Sequence, residues 1–205
     1  MKPHSLAGWL AGALLCVMNA AAADPEQAAN GIRIEPVWIT MPDGIRLSAD
    51  LYRAEGANDQ KLPVLLEYLP YRKHEARSRN YPLYSYFLQR GYVVAAVDIR
   101  GTGNSEGRLI PHEYSEIEQQ DGEAVIDWLS KQPWSNGNVG MFGISWGGFN
   151  SIQMAARDVP ALKAIIAIDA TEDLFQDDVH YMDGIMHLDS WEMSMDLDNT
   201  RPGAP

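Results

Sequence analysis

Val139-Gly140-Met141-Phe142-Gly143-Ile144-Ser145-Trp146-Gly147-Gly148-Phe149 decides how this chain is read. An apolar run stops at Gly143. A serine stands two residues on, a second glycine follows at 147, and Phe149, Ile152 and Ala155-Ala156 then recur at helical spacing. A strand, a tight turn and a helix in that order make the G-x-S-x-G pattern informative. The turn lifts Ser145 into a strained, exposed position, and side chains two places either side of it would collide. Glycine is therefore expected to be required at both 143 and 147. At a helix N-terminus, the serine also meets the partial positive charge of unpaired N–H groups, which favours negative charge developing there. Ser145 is the expected nucleophile, and the backbone N–H of Trp146 is an expected oxyanion donor.

The flanking sequence fits an α/β fold with a mostly parallel sheet. Upstream, residues 31–53 read as a hairpin turning at Pro42-Asp43-Gly44. Short apolar runs at 63–69, 92–97, 139–142 and 162–168 read as strands buried on both faces. A helix is expected to end near Arg90-Gly91. Another covers 116–131, with Ile117, Ala124, Val125, Trp128 and Leu129 on one face and Asn136-Gly137 as the turn after it. Strands alternating with helices predict helices on both faces of the sheet, with the hairpin at one edge.

Composition narrows the chemistry. The 205 residues are 46% hydrophobic, enough for a core, and the net charge of −12 excludes the basic face that nucleic acid needs. Lys2, the apolar stretch Leu6–Met18 and Ala21-Ala22-Ala23 read as a secretory signal over 1–23, cleaved before Asp24. The stretch falls short of the roughly 20 apolar residues of a spanning helix, so no membrane partner is expected after cleavage. The expected location is secreted or periplasmic. Cleavage would remove Cys16, the single cysteine, leaving no disulfide and no thiolate nucleophile. Asp98 to Gly107 is glycine-rich and follows a strand, but its third glycine falls one position late for a dinucleotide fingerprint, so it reads as a structural loop.

Leu69-Pro70-Tyr71-Arg72-Lys73, the loop Asp98-x-Arg100-Gly101-x-Gly103-x-Ser105-Glu106-Gly107 and Gly137 to Gly148 stand in order within a similarity that runs from about residue 31 to residue 190. Together they resemble the family of cocaine esterase, X-prolyl dipeptidyl peptidases and α-amino acid ester hydrolases. The resemblance implies an α/β-hydrolase fold, incomplete here and followed by the start of a helical cap over 171–205. It also implies that Tyr71 donates its phenolic O–H to the oxyanion beside Trp146. Asp177-Asp178-Val179-His180-Tyr181 is similar to the segment that holds a substrate ammonium in the amino acid ester hydrolases, with one residue fewer. Either Asp177 or Asp178 would be the counterpart, and a solvated acidic surface is the alternative.

A serine needs a general base oriented by an acid, in the chain order Ser, acid, His. Only His180 and His187 follow Ser145, both ahead of where later strands would carry the acid and base. The catalytic Asp and His are therefore expected beyond residue 205. The chain is read as a fragment, inactive alone, of a hydrolase acting on a small ester or short peptide. A non-catalytic chain or binding scaffold that keeps the elbow without a base is the rival reading. No cofactor is expected. The spacing of His180 and His187 fits no compact metal site.

Overall fold

The computed structural model describes residues 31–57, 60–109, 113–177 and 181–186. Strand β1 (Ile32–Thr40) and strand β2 (Arg46–Ala54) form the expected antiparallel hairpin. Then come β3 (Leu62–Leu69), helix α1 (Lys73–Leu88), β4 (Val93–Asp98), α2 (Glu116–Ser130), β5 (Ser135–Ile144), α3 (Trp146–Ala156) and β6 (Leu162–Ile168). The six strands make one sheet in the order β1-β2-β4-β3-β5-β6. The hairpin joins antiparallel, with β2 against β4, and every pairing from β4 to β6 is parallel.

The apolar runs are continuous because each central strand is covered twice. On β4, Val93, Ala95 and Val97 enter the larger core with Val125, Ile126 and Leu129 of α2 and Met154 of α3. Val94 and Ala96 point the other way, into a smaller core with Tyr84 and Leu88 of α1. Successive strand side chains alternate faces, so helices α2 and α3 cover one face and α1 the other. Glu67 sits on the α1 side of β3, where Asn80 and Tyr84 donate to its buried carboxylate.

Three expectations change, and the expected cap is described only in part. On α2, Ile117 is 41% exposed whereas Glu118 is 1% exposed. The helix has turned so that 118, 122, 125 and 129 form its inner stripe. Asn136-Gly137 is no loop between elements: it lies inside β5, where β3 advances from 62 to 64 while β5 advances from 135 to 139, a bulge that uses the positive φ of Gly137. Strand β6 is not buried on both faces. Ile166 and Ile168 are 47% and 40% exposed, because among the described residues β6 is the edge strand. The described part of the expected cap is a turn followed by a two-stranded ribbon, β7 (Tyr181–Met182) and β8 (Ile185–Met186). The rest of the cap, and the signal segment 1–23, lie outside the described residues.

Candidate active site

The elbow sits where β5 ends and α3 begins, at the carboxyl edge of the parallel strands. Ser145 has φ 55° and ψ −120°, a conformation that costs a non-glycine residue about 1–3 kcal/mol. Two bonds hold it there: its N–H donates to Ile168 O at 2.9 Å, and its carbonyl accepts from Phe149 N–H at 2.9 Å. Strand β6 and the first turn of α3 thus grip the serine from two sides.

The glycines divide the work differently from the sequence expectation. A Cβ on Gly143 would lie 2.5 Å from the carbonyl carbon of Gly147 and 2.6 Å from its Cα, so position 143 has no room. A Cβ on Gly147 would meet nothing closer than Leu69 Cβ at 3.8 Å. What the turn needs at 147 is its backbone, which fills the space a side chain at 143 would take. The second crowded position is Gly148, where a Cβ would stand 2.7 Å from Ile168 O and 2.9 Å from Ala170 Cβ.

Tyr71 follows β3 and comes to the same edge, with its phenolic Oη 3.4 Å from Ser145 Oγ. That is long for an O–H···O bond, so the two groups are neighbours more than a bonded pair. Trp146 is the first residue of α3, and its side chain is 4% exposed and pinned from below. Its indole Nε1 donates to Glu118 Oε1 at 2.7 Å, its ring packs on Tyr114, and Tyr114 packs on Phe149. Glu118 also accepts from Asn150 Nδ2 at 2.9 Å and from Tyr114 N–H at 2.9 Å, and its carbonyl accepts from Tyr68 O–H at 3.1 Å. Burial pushes its carboxyl from 4.5 up to about 7, against the pull of those donors. Glu118 therefore ties α2 to α3 through its carboxylate and to the end of β3 through its backbone carbonyl, and those two elements carry Trp146 and lead to Tyr71.

Glu118 was not singled out in the sequence, although its spacing from Gly122, Val125 and Leu129 puts it on the inner stripe of α2. The glycine-rich loop is anchored to α2 and to the hairpin turn, and braced within itself. Arg100 donates from Nε and Nη2 to Asp121 at 2.7 and 2.8 Å and from Nη1 to Asp43 at 2.7 Å, while Ser105 Oγ donates to Asp98 O at 2.6 Å. Asp177 lies apart in character. It is exposed, its N–H donates to Asp173 O at 3.1 Å, and it bridges to Met182 of the ribbon. Asp178, His180 and His187 lie outside the described residues.

A mostly parallel sheet in this strand order, with a strained serine between strand and helix at its carboxyl edge, defines an α/β hydrolase. Residues 43–203 match the family described as X-Pro dipeptidyl-peptidase (S15 family), and the chain belongs to it. Cocaine esterase from Rhodococcus sp. (strain MB1 Bresler) is 40% identical over 142 residues, covering 68% of this chain and 24% of its own length. Among solved structures, an α-amino acid ester hydrolase aligns with 95% of this chain and 34% of its own, at 25% identity and a TM-score of 0.72. A CocE/NonD family hydrolase from Staphylococcus aureus shares the fold at 23% identity and a TM-score of 0.67, over 85% of this chain and 38% of its own. The chain thus spans about a quarter of the length of the cocaine esterase that it matches.

Proposed function

We propose that these residues form the nucleophile half of an exported serine hydrolase that cleaves an ester or a peptide-like amide through an acyl-enzyme on Ser145. The observation that carries this reading is the strained serine between β5 and α3, with a tyrosine O–H 3.4 Å from its Oγ. In the reaction, Oγ attacks the carbonyl carbon and its proton passes to a histidine base. The resulting oxyanion takes hydrogen bonds from the Trp146 N–H and the Tyr71 O–H, each worth roughly 3–4 kcal/mol. The bond to the leaving alcohol or amine breaks as that group takes the proton from the histidine. Water then repeats the attack and releases the acid.

The base is assigned to sequence outside these 205 residues, where the relatives are longer. Among the described residues, His74 precedes Ser145 in the chain and stands beside Asp50. Asp177 or Asp178 would receive a substrate ammonium, which favours α-amino esters and peptides with a free N-terminus over neutral esters. Residues 1–23 are assigned to export, and an N-terminal sequence beginning at Asp24 in the exported product would support that.

A fluorophosphonate probe tests the core of the reading. The whole natural polypeptide that carries these residues should label at Ser145, and Ser145→Ala should abolish labelling. The 205-residue chain alone should label roughly a thousandfold more slowly, as expected for a serine without its base. Undiminished labelling of Ser145→Ala would remove the nucleophile assignment. Rapid labelling of the 205-residue chain would place the base within it.

A further inference from the structure

We infer that Lys73, Asp50 and Asp98 are positioning residues for Tyr71, a buried ion cluster that fixes the loop carrying the oxyanion donor. The inference rests on the oxyanion reading of Tyr71. Asp50 on β2, Asp98 at the end of β4 and Lys73 at the start of α1 are 1%, 1% and 3% exposed. The Lys73 ammonium lies 3.5 Å from Asp98 Oδ2 and 3.7 Å from Asp50 Oδ1. His74 Nε2 lies 3.5 Å from the other oxygen of Asp50.

A cluster of this kind is a weak source of stability, because dehydrating three charged groups cancels most of their attraction. Its placement points to another use. Leu69, the last residue of β3, is the register partner of Asp98, the last residue of β4. The carboxylate of Asp98 then reaches over and accepts the backbone N–H of Lys73 at 2.7 Å. The segment Pro70-Tyr71-Arg72 is therefore closed at both ends by one residue.

Within that segment Arg72 has φ 57° and ψ 90°, a conformation that a side chain resists. Such strain persists only when the structure on both sides imposes it. The β3 pairing imposes it on one side and the ion cluster on the other. The glycine-rich loop completes the clamp. Asn104 N–H donates to Asp98 Oδ2 at 3.0 Å, and a Cβ on Gly103 would strike that carboxylate at 2.2 Å. The shared region of the sequence at 98–107 thus serves the active site through Asp98, Lys73 and finally Tyr71.

A double-mutant cycle separates positioning from structural support. On the whole natural polypeptide, kcat and KM for p-nitrophenyl acetate are measured for Tyr71→Phe, Lys73→Met, Asp50→Asn and each of the latter two combined with Tyr71→Phe. Lys73→Met is expected to lower kcat roughly 30-fold or more, with KM changed less than about threefold. In the Tyr71→Phe background the same substitution should cost less than about threefold, because the donor it serves is already gone. Asp50→Asn keeps the Lys73–Asp98 pair, so it should fold even if Lys73→Met does not, and it should show the same non-additivity on a smaller scale. Losses that simply multiply in variants with native melting curves overturn the positioning role while leaving the oxyanion reading intact. A Tyr71→Phe variant with unchanged kcat overturns the oxyanion reading, and this inference with it.

Discussion

Ser145 and Asp177 are both candidate site residues, but the chain holds them in opposite ways. Ser145 is gripped by β6, by the first turn of α3 and by the backbone of Gly147, and the helix that carries it is pinned to α2 through Trp146 and Glu118. Asp177 is held by its own turn, through Asp173, and by the ribbon that follows. The first arrangement draws on residues distant in sequence and buried in the core. The second is local and exposed. A serine held at φ 55° draws on the former, since the local bond from Phe149 N–H is joined by one to Ile168 O on β6. A charged group that meets substrate at a rim can be carried by the latter.

The largest effect should come from breaking the distant grip. Gly143→Ala places a methyl 2.5 Å from backbone that cannot step aside, so α3 must lift off β5. A loss of about 3 kcal/mol or more is expected, together with loss of probe labelling. Gly147→Ala meets only ordinary contacts and gains helix propensity, so its stability should stay level or rise by up to about 1 kcal/mol. Thermal unfolding of the two variants decides the matter. Equal damage at 143 and 147 would contradict this account of the elbow.

A subtler break acts through the carboxylate under Trp146. The Glu118 carboxyl is raised from 4.5 to about 7 by burial, so the folded state binds its proton more tightly than the unfolded state does. The stability linked to that proton is complete below about pH 4.5 and is lost as pH rises through 7, a swing of about 3 kcal/mol. Glu118→Gln removes the swing. Urea unfolding at pH 5 and pH 8 should show the variant gaining up to about 3 kcal/mol relative to wild type between the two. Glu67 and Asp98 are shifted in the same direction by burial, but they are present in both proteins and cancel in the difference. A difference that does not change with pH would mean that Glu118 is ionised throughout.

How much of this was legible in the sequence follows the same division. The strand-turn-helix around Ser145, the leading hairpin and the buried runs could be read directly, because each is a local pattern of apolar residues and glycine. The order of the strands could not, since nothing in β4 itself says that it lies between β2 and β3. The stripe of α2 was misplaced at Ile117 because an apolar residue looks buried and a glutamate does not. The Trp146 indole, the Asn150 amide and the Tyr114 N–H make the inner position acceptable for Glu118. At Gly147 and Gly148 the sequence offers two adjacent glycines, and the contact with Ile168 O that makes 148 the crowded one comes from a strand twenty residues away. Tyr71 is legible only through family resemblance, since its own stretch of sequence says nothing of the 3.4 Å that separates its hydroxyl from Ser145 Oγ.

The smallest effect belongs to the local, exposed side of the comparison. Asp177→Asn removes a charge that no described core element depends on, so the melting temperature should correspond to a change within about 0.5 kcal/mol. If Asp177 faces a substrate ammonium at a solvated rim, the pair is worth up to about 1 kcal/mol. In the whole natural polypeptide, kcat/KM for an α-amino ester should then fall about threefold to fivefold, while the N-acetylated ester is unaffected. Asp178→Asn, measured in parallel, assigns the role to one aspartate or the other, since the sequence leaves both open. Equal rates on both esters in both variants would make the acidic turn a solvated surface, and the selectivity of the site would then rest on the rigid half around Ser145.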